Sequence, residues 1–365
     1  METNKPKKIG LITCGKEPNY GACLQALATQ EILTNNGHHV DIMNYSFMDG
    51  QVYSPFSQKS IKSFISSCMF YKLRKGTHNV FEKFRERHMI YSNEKLTTVE
   101  DFKKIMEKYD IFLVGSDQVW NPNLGINTDI TLLNFYKKGP KKISYSSSFG
   151  IKSLPENQKI KYKAAFSDFN SLSTRETTGQ NIIKELTGRL VSVVLDPSML
   201  LNMQQWEIYT KDSNINEPFV LIYDMWHAPE VVEIARKKAK EKKCKIIALS
   251  QIIMPYKDIE TLYDISPAEF LDLFKKAECI VTDSFHGTVF SIIYHKEFYS
   301  YCSQRAAVIG GRLTEILDKL DLSDRMVTSM NSIPDKKIDY TVVDEKLLSL
   351  RKHSIDYLIG AINDD

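Results

Sequence analysis

Four short segments of this 365-residue chain set polar and charged side chains directly after apolar runs. The densest is Thr282-Asp-Ser-Phe-His-Gly-Thr288, which gathers an acid, three hydroxyls and an imidazole on one turn. His286 is one of eight histidines, and imidazole is the side chain best suited to proton transfer near neutral pH. Asp283 can orient that ring or accept a proton; read plainly, it is a helix N-cap. Gly287 removes the side chain next to the ring, and Ser284 and Thr288 add hydroxyls. In Ser173-Thr-Arg-Glu176 the planar cation of Arg175 can grip a phosphate or carboxylate at two points, with a surface ion pair to Glu176 as the plainer reading. Gly115-Ser-Asp-Gln-Val-Trp-Asn-Pro122 offers Ser116, Asp117 and Gln118 for hydroxyl recognition and Trp120 as a stacking surface for a sugar ring. Trp120 as a core residue and Asp117 as a helix cap are the alternatives. The fourth segment, Cys14-Gly-Lys-Glu-Pro-Asn-Tyr-Gly-Ala-Cys23, is a glycine-bearing loop with Asn19, Tyr20 and Gly21 at its end. Its backbone N–H groups can meet an anion, although it fits neither GxGxxG nor GxxxxGK[ST]; a turn without a ligand fits it as well.

These loops need strands and helices that deliver them to one place. Residues 9–13 read as a buried parallel strand, and Leu24, Leu27, Ala28, Ile32 and Leu33 follow at helical spacing up to Gly37. Residues 40–43 resume as a strand, which makes a βαβ opening. Residues 47–105 break the rhythm and read as helices beside the sheet. Strands are expected at 110–115, 142–146, 171–174 and 191–195, then again at 219–223, 245–249 and 279–282. A helix should open at Ser266, where Ser, Pro267 and Glu269 make a capping box. The expected fold is α/β: two Rossmann-like domains facing a central cleft. The units are residues 1–213 with a basic helical insertion at about 47–105, residues 214–340, and a C-terminal helix over 341–365 that can pack back on the first unit.

The 48 Lys+Arg balance 45 Asp+Glu to +3, so no global field favours nucleic acid as a partner. The six cysteines form no CxxC pair, which argues against a zinc site or a disulfide scaffold. No apolar stretch reaches the ~20 residues of a membrane span. A cytoplasmic protein with reduced thiols is expected.

At these residues the sequence resembles the polysaccharide pyruvyl transferase family, from residue 8 to about 325. The resemblance rests on Asn19-Tyr-Gly21 with Leu24-Gln25, Gly115-Ser-Asp-Gln-Val-Trp120, Tyr145-Ser-Ser-Ser-Phe-Gly150, Ser173-Thr-Arg-Glu176, Asp196-Pro-Ser198, Asp283-Ser-Phe-His-Gly287 and the tail from Arg312 to Arg325. It implies a GT-B-like fold and transfer of pyruvate from phosphoenolpyruvate onto two hydroxyls of a sugar, as a cyclic ketal, in a cell-surface polysaccharide. It also implies no metal or redox cofactor, with phosphoenolpyruvate as co-substrate and a hexose-containing, lipid-linked saccharide as acceptor. Other branches carry Arg-Leu before the histidine, where this chain has Ser284-Phe285, so anion binding falls to Arg175, Arg305 or Arg312. Ser284, Gly287 and Thr288 complete the expected donor site; Asn19, Tyr20, Gly21, Gln25, Ser116, Asp117, Gln118 and Trp120 make the acceptor side. His286 is the expected general acid and Asp283 its partner. A sugar-nucleotide glycosyltransferase and a non-catalytic saccharide-binding protein of a capsule assembly complex are the alternatives.

Residues 59–87 carry eight basic side chains against Glu82 and Glu86. Ile61, Phe64, Ile65, Met69 and Phe70 lie among them at partly helical spacing. Two readings fit: a helix lying on an anionic membrane surface at the inner face of the cell membrane, or a docked helix whose apolar side packs on the first domain.

Overall fold

The structure, a computed structural model, describes residues 5–47, 61–225, 228–250, 255–302 and 311–364, with residues 61–74 described as helical backbone alone. Two parallel sheets form the frame. The first contains β1 (Lys8–Ile12), β2 (His39–Ile42), β3 (Ile111–Val114) and β4 (Lys141–Ser144) in the order β2-β1-β3-β4. Ile111 to Val114 are buried on both faces, which is why β3 reads as an unbroken apolar run. β5 (Ser173–Thr174) and β6 (Ser192–Val193) pair in parallel and join the far edge through the bridges Ile143↔Ser171 and Ser147↔Thr174.

The second sheet contains β7 (Phe219–Tyr223), β8 (Lys245–Leu249), β9 (Glu260–Leu262), β10 (Cys279–Thr282), β11 (Phe298–Tyr301) and β12 (Met326–Val327). Its order is β12-β11-β10-β7-β8-β9. Each sheet therefore grows outward in both directions from its first strand. The switch points lie between β1 and β3 and between β7 and β10, and ligands of open α/β sheets bind beyond the strand ends at such points. The segments leaving those four strands begin at Thr13, Gly115, Asp224 and Asp283. The α/β architecture with two Rossmann-like units is thus as the strand pattern implies. The expected strand at 191–195 is shorter, because Val194 and Leu195 already lead into a turn.

The helix Tyr20–Asn35 follows β1, and its residues 20–30 are all buried. A surface helix would show one polar face; this one lacks it because both units cover it. Tyr20 stacks on Phe270 of the second unit with ring centroids 4.4 Å apart, and one apolar cluster runs through both units. The helix Pro267–Lys276 opens on the expected capping box: Glu269 N donates to Ser266 Oγ at 3.3 Å and Ser266 N donates to the Glu269 carboxylate at 3.0 Å.

The basic insertion contains the helix Ile61–His88. Its C-terminal turns are docked: Phe81, Phe84 and Arg85 are buried, and Arg85 pairs with Glu82 at 2.7 Å. Thr77 donates to Asp264 of the second unit at 3.1 Å. Arg85 is thus removed from the expected surface charge, since its guanidinium donates inward to the carbonyls of Gly15 and Glu17. Lys59 lies outside the described residues, as do the side chains of Lys62, Lys72 and Arg74 and the apolar set from Ile61 to Phe70. The C-terminal helix Tyr340–Asn363 starts on the second unit, where Tyr340 donates to the Lys296 carbonyl at 2.5 Å. It ends on the first, where Tyr357 donates to the Ser144 carbonyl at 3.1 Å. Among the described residues no helix is long and apolar enough to cross a membrane.

Candidate active site

The polar centre forms where the two switch points face each other. Its hub is Asp196, wholly buried on the 3-10 turn Pro197–Met199 that follows β6. Asp196 Oδ1 accepts from Ser198 N at 2.9 Å and from Ser198 Oγ at 2.5 Å, so the turn's own backbone aims the carboxylate. Oδ2 then points at three groups from other elements. It lies 2.7 Å from Arg175 Nη2, 3.1 Å from Ser116 Oγ and 3.6 Å from His286 Nε2. Burial alone would push this carboxyl up. The charges of Arg175 and His286, with the Ser198 hydroxyl, outweigh burial and hold it well below the usual carboxylate range.

Arg175 sits just beyond β5 and is itself buried. Its Nη2 is committed to Asp196 and the Ser116 hydroxyl. Its Nε and Nη1 are buried without a hydrogen-bond partner among the described residues. Nη1 stands 3.7 Å from Asp117 Oδ1, and Arg312 Nη1 stands 3.7 Å from the same atom. Both guanidinium groups also lie over the ring of Phe285, at 4.9 Å and 5.9 Å from its centroid. An arginine from each unit therefore converges on one phenyl ring and one carboxylate. Burial and the neighbouring Arg175 charge lower the Arg312 pKa. Buried N–H donors without partners cost free energy, and a bidentate oxyanion is the ligand that matches them.

His286 is in the first turn of the helix Phe285–Ile293, which Ser284 caps by accepting from Gly287 N at 3.4 Å. Its ring presses against the first turn of the helix Tyr20–Asn35: a Cβ on Gly21 would stand 2.0 Å from Nδ1. Only a residue without a side chain lets the two helices approach this closely. Gly21→Ala should therefore push the imidazole out of line. A misplacement of about 1 Å can cost ~10²-fold in rate, so a turnover loss of at least tenfold with an unchanged circular dichroism spectrum is expected. Unchanged turnover would mean that the ring position is immaterial. Among the described residues no three His, Cys, Asp or Glu side chains converge as a metal site would require.

The model of the polysaccharide pyruvyl transferase family matches residues 19–301, a span that contains Gly21, Ser116, Arg175, Asp196 and His286. The chain belongs to that family. No curated protein matches it in sequence. In structure it is similar to the Methanocaldococcus jannaschii UDP-GlcNAc 2-epimerase in complex with UDP-GlcNAc and UDP, at TM-score 0.53 and 15% identity, covering 97% of this chain and 98% of that one. It is also similar to the UDP-N-acetylglucosamine 2-epimerase of Rickettsia bellii, at TM-score 0.50 and 13% identity, covering 97% and 98%. Against a Thermobaculum terrenum O-GlcNAc transferase mutant it spans 65% of that protein, at TM-score 0.46 and 10% identity. At such identities the likeness to the two epimerases shows the fold alone, a GT-B-like pair of Rossmann domains.

Several residues of this transferase sit differently from the sequence expectation. The carboxylate in ion-pair range of His286 is Asp196, not Asp283, whose Oδ1 accepts from Met225 N at 2.7 Å. Arg175 pairs with buried Asp196 rather than with Glu176, whose carboxylate accepts from Ser148 Oγ and Phe149 N. Burial pushes the Glu176 carboxyl up, against the opposing charges of Arg312 and Arg175. Trp120 is no stacking surface: it is fully buried and donates to the Thr131 carbonyl at 3.0 Å. Tyr20 belongs to the domain interface, donating to the Ile265 carbonyl at 2.9 Å. Gln25 and Ser116 are buried supports, with Gln25 bridging Thr13 at 2.7 Å and Ser116 N at 3.3 Å. Thr288 is buried, with its hydroxyl 2.6 Å from that of Ser300, and a Cβ on Gly287 would meet Thr282 Oγ1 at 2.2 Å, so both residues pack closely on the end of β10 and on β11. Asn19 caps the first helix by accepting from Ala22 N at 3.1 Å. Gln118 is half-buried and accepts from Asn121 at 2.7 Å. Arg305 lies outside the described residues.

Proposed function

We propose that this transferase moves pyruvate from phosphoenolpyruvate onto two hydroxyls of a hexose, forming a cyclic ketal in a lipid-linked saccharide destined for a cell-surface polysaccharide. The observation that carries the reading is the convergence of Arg175 and Arg312, from opposite units, on Phe285 and Asp117, with two buried Arg175 donors that have no hydrogen-bond partner among the described residues. Phosphoenolpyruvate carries a phosphate and a carboxylate on one three-carbon frame, which suits two guanidinium groups side by side. His286 protonates the methylene carbon and leaves an oxocarbenium at C2. One sugar hydroxyl adds there, phosphate departs, and the second hydroxyl closes the ring. Asp196 steadies the charged imidazole through the proton cycle. Asp117, between the two arginines at the cleft, is placed to receive a hydroxyl proton. No metal or redox cofactor enters this scheme.

Donor binding tests the clamp. Arg175→Lys keeps a charge but loses the forked grip. The phosphoenolpyruvate Kd measured by calorimetry should rise about tenfold or more, equivalent to about 1.4 kcal/mol. An unchanged Kd, or tighter binding of a sugar nucleotide than of phosphoenolpyruvate, would overturn the assignment.

The lipid-linked acceptor also brings the basic insertion into the proposal, as a peripheral contact with the inner face of the membrane. Co-sedimentation should then recover the protein with anionic but not neutral vesicles, at low salt and not at high salt. Triple replacement of Lys72, Arg74 and Lys75 by Glu should abolish recovery. Equal amounts in every supernatant would leave a protein that takes its acceptor without docking.

A further inference from the structure

We infer that Arg351 and Ser354 of the C-terminal helix are positioning residues that set the Asp196 carboxylate, while the apolar residues of that helix only pack. This helix, Tyr340–Asn363, lies beyond the residues matched by the family model. The positioning role rests on reading the cluster around His286 and Asp196 as the active site.

The hydrogen bonds of the Asp196 turn lead to the helix. Residues 194–201 are buried, so each backbone N–H and C=O needs a partner. Within the turn, Met199 N donates to the Asp196 carbonyl at 2.9 Å and Leu200 N to the Pro197 carbonyl at 3.0 Å. Trp206 takes the Ser198 carbonyl at 3.0 Å. The groups at the two ends go to the C-terminal helix. Leu195 N, directly before Asp196, donates to Ser354 Oγ at 3.0 Å. The carbonyls of Met199 and Leu201 accept from Nε and Nη2 of one guanidinium, Arg351, at 2.6 and 3.2 Å. Ser354 donates its own hydroxyl to the Leu350 carbonyl at 2.7 Å, which turns a lone pair toward Leu195.

Residues 347, 351, 354 and 358 recur at helical spacing and share one face. Leu347 and Leu358 anchor it in the common apolar cluster. Arg351 and Ser354 thus hold both ends of the turn from behind, while Asp196 faces Arg175 and His286 in front. The 3.6 Å separation between Asp196 and His286 has little room to lengthen. A fork that fixes two carbonyls two residues apart sets the curvature of the turn, and with it the direction of the carboxylate.

The test compares Arg351→Met and Ser354→Ala with Leu347→Ala, a control on the same helix face that holds no turn group by a polar atom. Positioning predicts a kcat loss of about tenfold for Arg351→Met, a smaller loss for Ser354→Ala and partial recovery in Arg351→Lys. Leu347→Ala should lose thermal stability at least as great while keeping kcat within twofold. In a double-mutant cycle with Asp196→Asn, the Arg351→Met loss should vanish, because both act through one carboxylate. A second readout needs neither turnover nor the cycle: the imidazole 15N signals of His286, identified through His286→Gln. They should move in Arg351→Met and stay in place in Leu347→Ala. Equal kcat loss in Arg351→Met and Leu347→Ala at matched stability, or an unmoved His286 signal in Arg351→Met, would overturn the inference. If wild-type protein releases no phosphate from phosphoenolpyruvate, the proposed reaction fails by itself, and the His286 signal still decides the positioning role.

Discussion

His286→Gln is expected to lower turnover by ~10²–10⁴-fold, the usual worth of a general acid. Gln can keep a polar contact toward Asp196 but has no proton to give a carbon. The helix Phe285–Ile293 should persist, because its cap is the Ser284 hydroxyl and its packing comes from Val289, Phe290, Ile292 and Ile293. The phosphoenolpyruvate Kd should change little compared with Arg175→Lys. The check is turnover against donor binding in purified variant, with far-ultraviolet circular dichroism as the fold control. Retention of more than about a third of wild-type turnover would make His286 structural and send the search for the acid to Glu176, whose carboxyl is held toward its neutral form by burial.

Asp196→Asn should have the largest effect on stability. The substitution keeps the shape and the Ser198 contacts but removes the charge that faces Arg175 at 2.7 Å, leaving the buried guanidinium only the more distant Asp117 carboxylate at 3.7 Å. Removing one partner of a buried pair typically costs about 3–5 kcal/mol. The pH dependence has a definite sign. The folded-state pKa of Asp196 lies below its unfolded value of ~3.9. Its contribution is therefore complete above about pH 4 and fades as pH falls further, toward the folded value. The stability gap between wild type and Asp196→Asn, measured by urea denaturation, should narrow as pH falls below about 4. A gap that widens in acid, or no gap at pH 7, would contradict the electrostatic role given to this carboxylate.

The parallel strands were legible in the sequence because apolar runs such as residues 219–223 and 279–282 are buried on both faces and end at polar turns. The same logic placed Arg175 and His286 at strand ends. Both readings of Trp120 stayed open in the sequence, because a tryptophan after a strand looks alike whether it stacks on a ligand or fills a core; the structure takes the core reading, and the N–H partner, the Thr131 carbonyl, comes from the separate short helix Thr128–Thr131. The assignment to Asp283 followed from nearness in sequence. The carboxylate that reaches His286 arrives from Asp196, ninety residues earlier, in a segment that by itself reads as an Asp-Pro turn. Beyond its place among the motifs of the family resemblance, its local signal was a charged residue after the apolar run 191–195. Arg351 and Ser354 carry no local signal at all: a helical arginine is ordinarily a solvated charge, and only the tertiary packing turns it onto two carbonyls. Gly21 was picked out as part of a loop for anions, whereas the structure gives its bareness to the His286 ring.

Phosphate release is the decisive readout of the proposed pyruvyl transfer. Purified protein is incubated with phosphoenolpyruvate and a panel of lipid-linked saccharides of differing terminal hexose, and inorganic phosphate is followed with time. Acceptor-dependent release is expected, one phosphate per saccharide, with a product whose mass rises by one pyruvate less one water and whose 13C spectrum shows a ketal carbon. Release should fall to background in His286→Gln. Transfer from a sugar nucleotide in the same panel, with no phosphate released from phosphoenolpyruvate by any acceptor, would contradict the proposed pyruvyl transfer.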